Sequence, residues 1–185
     1  MATADPSPTT SAGATGASAG RADPFIGKTI FDAQYEIQER IGAGGMGAVY
    51  KAFQPEMNRF VAVKVLHARL TGRQDLAARF RREARAMSHL SHPNTVRVLH
   101  FGEIEEGALC IVMELLEGKN LHGVVRSSGP LAPARALRIV AQAAFALDEA
   151  HLSGIIHRDL KPENLFVCAK GPTNDFVKVL DFGLA

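Results

Sequence analysis

The run His157-Arg158-Asp159-Leu160-Lys161-Pro162-Glu163-Asn164, followed downstream by Asp181-Phe182-Gly183, constrains this chain more than any other stretch. It sets two carboxylates, a lysine and an amide at fixed offsets. That set suits the movement of a phosphoryl group. One carboxylate accepts a hydroxyl proton, an amide oxygen and a second carboxylate hold magnesium, and a lysine neutralises the transferred phosphate. Leu165-Phe166-Val167 and Val177-Lys178-Val179-Leu180 read as two short strands flanking a turn over 170–175. That hairpin carries Asn164 before one strand and Asp181 after the other, so both metal-binding groups converge at one end.

Upstream, Tyr35, Ile37 and Ile41 share one parity and predict a half-buried strand. Gly42-Ala43-Gly44-Gly45-Met46-Gly47 interrupts it, and Ala48-Val49-Tyr50-Lys51-Ala52-Phe53 resumes as strand. Glycines so spaced let backbone N–H groups approach phosphate oxygens without interference from Cβ. Alone the pattern is weak, and a plain glycine-rich turn is about as common. A dinucleotide-binding unit would need a helix to begin inside the motif. Here a strand follows, and no lysine of the Walker type is present, so a hairpin over phosphates is the better reading.

Phe60 to Leu66 is a third strand with Lys64 inside its apolar run. A lysine there by default snorkels to water. Over residues 74–90, however, Leu76, Phe80, Ala84, Met87 and Leu90 recur at helical spacing, and Glu83 falls on that stripe. A carboxylate on a buried face costs several kcal/mol, by order of magnitude, unless a cation meets it. Lys64 is the expected partner. His92-Pro93-Asn94 ends the helix. Val96, Val98 and Leu99 begin a fourth strand, Leu109 to Met113 form a fifth, and Glu114 to Gly118 read as a connector. A helix over 133–152 has Pro133 near its start and Leu137, Val140, Ala141, Ala144 and Leu147 on one face. Gly154 stops it.

Taken in order, these residues resemble the eukaryotic-like (Hanks-type) serine/threonine protein kinase family. The resemblance implies an α+β, protein-kinase-like bilobal fold. Residues 1–24 would be a low-complexity disordered tail and 25–115 a complete five-stranded small lobe with its helix. Residues 116–185 would form a partial, mostly helical large lobe. It implies ATP and Mg²⁺ as cofactors, and a protein substrate with a serine or threonine acceptor. Asp159 would be the base or orienter for the substrate hydroxyl and Lys161 the γ-phosphate contact. Lys64, oriented by Glu83, would hold the α- and β-phosphates, with Asn164 and Asp181 on Mg²⁺. Ile41, Gly42, Ala43, Gly44, Gly45, Met46 and Gly47 would cover the nucleotide. Val49, Ala62 and Phe166 would sandwich the adenine, although the family more often has an aliphatic residue than Phe166. Met113 would be the gatekeeper, and backbone groups of Glu114 and Leu116 would bond the adenine edge. Met87, Val98, His157 and Phe182 look like the stacked column joining the two lobes. The form of the glycine loop and His92-Pro93-Asn94 look bacterial.

Composition excludes several other classes. Hydrophobic content of 46% and charged content of 22% are those of a globular protein, and a net charge of +2 gives no case for nucleic acid. No apolar run approaches a membrane span, and residues 1–22 lack the regions of a secretory signal. Cys110 and Cys168 each sit in an apolar run and read as buried free thiols, which suits a cytoplasmic location. The seven histidines show no metal-ligand spacing. After Asp-Phe-Gly the resemblance implies an activation segment and further helices, while the sequence ends at Ala185. The expectation is a large lobe whose apolar underside lies uncovered and favours self-association. The alternative is a truncated nucleotide-binding module or an unstable fragment without turnover.

Overall fold

The computed structural model describes residues 23–44, 47–66, 74–104, 107–169 and 175–182, apart from the side chains of Gln74, Leu76 and Glu83. Of the tail expected over 1–24, residues 1–22 lie outside these residues, as do Gly45, Met46 and Gly183, whereas Asp23 and Pro24 are ordered because the Asp23 carboxylate is bonded to the sheet. Six strands form one antiparallel sheet: β1 (Thr29–Ile30), β2 (Tyr35–Ala43), β3 (Gly47–Gln54), β4 (Arg59–Leu66), β5 (Val98–Glu103) and β6 (Leu109–Glu114). Their order is β1-β2-β3-β4-β6-β5.

The sheet is buried on both faces, which is why β4 and β6 read as unbroken apolar runs rather than as alternating ones. In β4, Ala62 and Leu66 join one core cluster while Val61, Val63 and Val65 join the other. Helix α1 (Gln74–Ser88) seals the first face with Ala77, Phe80, Ala84 and Met87. The second face is covered by the segment leading into β2, through Phe25, Ile30 and Phe31. This cover begins at Asp23, whose carboxylate accepts a hydrogen bond from the Tyr50 hydroxyl at 3.1 Å and pairs with Arg40 at 3.3 Å. Strand β1 is the sixth strand where five were expected, because two residues carry no readable period.

Strand β2 departs from the predicted parity. Tyr35 and Ile37 are buried, but Ile41 is 49% exposed. Register shifts fall between Ile37 and Glu39 and between Arg40 and Gly42, and the second leaves Ile41 without a partner on β3. A bulge adds one residue to one strand, and that residue leaves the alternation.

The second half of the chain carries β7 (Gly118–Asn120), α2 (Leu121–Ser128), α3 (Pro133–Leu152), β8 (Leu165–Cys168) and β9 (Val177–Val179), with the strands paired β7-β8-β9. Asn120 caps α2 by accepting from the Gly123 amide at 2.8 Å. Helix α3 has the predicted bounds but a different buried face. Ile139, Ala143, Ala146 and Ala150 pack inward, while Leu137 is 71% and Val140 57% exposed. The helix is apolar on two sides, and the side with small residues is the one that approaches β9 closely. Cys168 is half-buried where full burial was expected, since β8 is a short strand with one side partly open.

The two halves are stitched by the linker after α1. Val96 N–H donates to the Val179 carbonyl at 3.1 Å, and Val179 N–H donates to Asn94 O at 2.7 Å. The buried Asn94 amide donates to the Val177 carbonyl at 2.6 Å. Glu149 of α3 accepts the amides of Ser91 and His92 at 3.1 and 2.9 Å. One continuous core, from Met87 and Ile111 to Ile139, Val179 and Phe182, runs through this joint.

Candidate active site

The glycine-rich stretch is the hairpin between β2 and β3, with Ala43 opposite Ala48 and Gly44 N–H donating to the Gly47 carbonyl at 2.8 Å. Gly47 has a packing reason as well: a Cβ there would lie 2.1 Å from the Val65 carbonyl oxygen. At Gly44 a Cβ would meet nothing within 4 Å, so that part of the hairpin leaves room beside the backbone. Next along the sheet, Val49 pairs with Lys64 and Ala62 with Met113. Val49, Ala62 and Met113 all belong to the core cluster on the α1 side of the sheet, the face that Lys64 shares by strand parity.

Lys64 Nζ donates to Asp181 Oδ1 at 2.6 Å across the two halves of the chain. The Lys64 side chain is nearly buried, and that of Asp181 is half-buried. Glu83 lies on α1, but its side chain is outside the described residues, so its expected pairing with Lys64 stays an expectation.

The run His157–Asn164 forms a compact set of hydrogen bonds. Lys161 Nζ donates to Asp159 Oδ2 at 2.7 Å, and that bond holds the Asp159 carboxyl below the usual carboxylate range while raising Lys161. The Asn164 amide nitrogen donates to the Asp159 carbonyl at 2.8 Å, which leaves the amide oxygen as the free acceptor. His157 Nδ1 accepts from the Asp159 amide at 3.3 Å, so the proton of the neutral ring sits on Nε2, which donates to the Leu180 carbonyl at 2.8 Å. Leu180 N–H in turn donates to the Asn164 carbonyl at 2.9 Å. Asp181 is thus fixed through its neighbour to both His157 and Asn164. Arg158 and Asp181 have φ of +63° and +52°. A non-glycine residue in that region costs on the order of 1–3 kcal/mol and is held there by its surroundings, as at many functional sites.

The predicted column is assembled. Phe182 and Met87 are fully buried, the His157 and Phe182 rings lie 4.8 Å apart, and Val98 packs against the same cluster. Phe166 and Leu116 are half-buried, in β8 and in the connector after β6. A cavity of about 800 Å³ beneath the Asp23–Ala33 cover shares no residue with this constellation.

The connector is held by residues the sequence did not single out. Glu114 N–H donates to the Arg97 carbonyl at 3.0 Å, and Glu114 Oε1 accepts from the Arg97 amide at 2.8 Å and from Lys178 Nζ at 2.6 Å. The one available signal was Lys178 itself, a cation between two valines of a buried strand.

The fold and the arrangement of these motifs are those of the protein kinase class. The family model described as "Protein kinase domain" matches residues 35–185, and the chain belongs to that family. It is 48% identical over 163 residues to the serine/threonine-protein kinase pkn3 of Myxococcus xanthus, covering 88% of this chain and 30% of the relative. Identity to the serine/threonine-protein kinase PknE of Mycobacterium bovis is 43% over 151 residues, or 82% of this chain and 26% of that one. Among solved structures, the Mycobacterium tuberculosis PknI kinase domain superposes with a TM-score of 0.72 at 32% identity, covering 86% of this chain and 62% of that one. The chain spans about a third or less of these curated relatives.

Proposed function

We propose that this domain transfers the γ-phosphoryl group of ATP to serine or threonine hydroxyls of a protein substrate in bacterial signalling. The observation that carries the reading is the Lys64–Asp181 contact at 2.6 Å, which joins the phosphate-facing strand to the end of the catalytic hairpin. Lys64 would hold the α- and β-phosphates beneath the glycine hairpin, and Lys161 would leave Asp159 for the γ-phosphate. The γ-phosphoryl group passes from the bridging oxygen of ADP to the acceptor oxygen, and Asp159 takes the hydroxyl proton. While Lys161 is bonded to it, that carboxylate is held below its usual range and is the weaker base, so departure of Lys161 toward the γ-phosphate would raise its basicity. Adenine would lie between Val49, Ala62 and Phe166, bonded by the backbone of Glu114 and Leu116.

The residues present suit Mg²⁺. The Asn164 amide oxygen is left as an acceptor and Asp181 supplies a carboxylate, an all-oxygen set of the kind this hard cation takes. Bound there, the ion would neutralise charge on the β- and γ-phosphates.

Among the described residues, no helix is long and apolar enough to cross a membrane. The need for ATP and the free thiols support a cytoplasmic site for this domain. The apolar outer side of α3 supports self-association where nothing else covers it.

The test is transfer of labelled phosphate from ATP to dephosphorylated casein by the full-length protein. Asp159→Asn should lower turnover about 10²–10⁴-fold, as removal of a general base does, while ATP affinity is retained. Transfer at the wild-type rate in that variant would overturn the assignment of Asp159. ATP binding without any transfer by the wild type would leave a nucleotide-binding module.

A further inference from the structure

Lys178 is a cation between Val177 and Val179 in the short strand β9, and its side chain is only 13% exposed. A lysine in such a place would by default carry its ammonium out to water. Instead Nζ donates to Glu114 Oε1 at 2.6 Å and to the Thr95 carbonyl at 3.1 Å, with the Phe176 ring 5.9 Å away. No proton, phosphate or metal step of the proposed reaction uses this group. We infer that Lys178 is a positioning residue: by holding Glu114 it sets where the connector meets the adenine, and so fixes the preference for ATP over GTP. The inference rests on the ATP reading of the cleft.

Glu114 opens the connector and is held from two sides. Its N–H donates to the Arg97 carbonyl at 3.0 Å, and its Oε1 accepts both the Arg97 amide at 2.8 Å and the Lys178 ammonium. A backbone amide has one proton, so Glu114 can offer the adenine edge its carbonyl but not its N–H. That carbonyl can accept from the exocyclic amino group of adenine. Guanine carries a carbonyl at the same position, which gives Glu114 nothing to accept. The base preference of the cleft therefore depends on where this one oxygen stands.

Lys178 connects that oxygen to the floor of the cleft. In the register of β8 and β9, Lys178 stands directly opposite Phe166, so the two side chains rise from one face of the sheet. Phe166 is the residue proposed to lie under the adenine, and Asp181, proposed for Mg²⁺, comes three residues after Lys178. One ammonium thus ties the edge that reads the base to the strand pair that bears its floor. With Lys178 removed, the Glu114 carboxylate would be mostly buried with only the Arg97 amide to meet it. A charge left in that state is drawn toward water, and the connector moves with it.

Steady-state transfer of labelled phosphate to dephosphorylated casein by the full-length protein, from ATP and from GTP, tests this. Lys178→Met keeps the length of the side chain and removes its charge. It should raise KM for ATP about tenfold, the loss of one hydrogen bond to a charged group, while kcat changes less than about twofold. KM for GTP should stay within about twofold, so the preference for ATP falls about tenfold. Lys178→Arg keeps the charge and the donors, and should restore the wild-type preference. Where Lys178→Met does not fold, Glu114→Gln serves: it keeps the shape of the side chain but loses its charge, and should lower the preference about threefold. Equal weakening of both nucleotides, as general loosening of the fold would give, or an unchanged preference in the variant that folds, would overturn the inference and leave the ATP reading standing. No transfer from ATP by the wild type would overturn both.

Discussion

Tyr50 shows how one side chain ties the amino-terminal cover to the sheet. Burial first, and then the hydrogen bond and negative charge of Asp23, push its phenol up to about 12. The folded chain therefore keeps the proton over a range where the unfolded chain, with a phenol near its usual value of about 10, has lost it. The stabilising contribution is complete below about pH 10 and is lost as pH rises toward about 12. Unfolding free energy measured by denaturant titration should fall through that window, and Tyr50→Phe should flatten the fall. An unchanged slope in the variant would place the alkaline loss elsewhere. At this scale the sequence was informative where chemistry is dense: Asp159, Lys161, Asn164, Lys64 and Asp181 were named from the family resemblance that their motifs carry, and the structure pairs Lys64 with Asp181 and groups Asp159 with Lys161 and Asn164. It did not single out Asp23 or Arg97, and marked Lys178 only as a cation between two valines, because partners far apart in the chain leave no local pattern.

Among the elements, α3 is the instructive one. Its bounds were legible from composition and Pro133, but its buried face was not, since large apolar residues lie on the side away from the core. Hydrophobicity alone favours Leu137 and Val140, whereas close approach to β9 favours Ala143 and Ala146. Enlarging Ala146→Leu should overpack the joint and cost about 1–3 kcal/mol, while Leu137→Ala should change stability by less than about 0.5 kcal/mol. Denaturant midpoints of the two variants check the assignment, and the reverse ranking would contradict it. The bulge at Ile41 was hidden for a related reason: alternation reads cleanly only while the strand register is unbroken.

For the whole molecule, two consequences follow from how the halves are joined. The linker over 91–97 is bonded to β9 and α3, so the six-stranded sheet and the strands flanking the run His157–Asn164 share one core through Met87, Phe182 and Val179. On the side of α3 away from the core, Leu137, Val140, Phe145 and Leu152 are 57–84% exposed on one helix, and large apolar side chains grouped in this way favour association. The 185-residue chain should therefore associate with rising concentration in sedimentation velocity, and Leu137→Glu with Val140→Glu should suppress this. Identical sedimentation of the double variant and the parent would remove α3 as the contact.

The most direct measurement is the thermal melt of the chain with and without Mg-ATP, beside Lys64→Met. A ligand that binds only the folded state raises the midpoint by mass action, by about 2.7 kcal/mol of added stability at about a hundred times its dissociation constant. A cooperative melt that Mg-ATP shifts upward in the parent, with the shift lost in Lys64→Met, is the predicted result. No shift in a parent that melts cooperatively, or an equal shift in the variant, would contradict an ATP site built on Lys64 and Asp181.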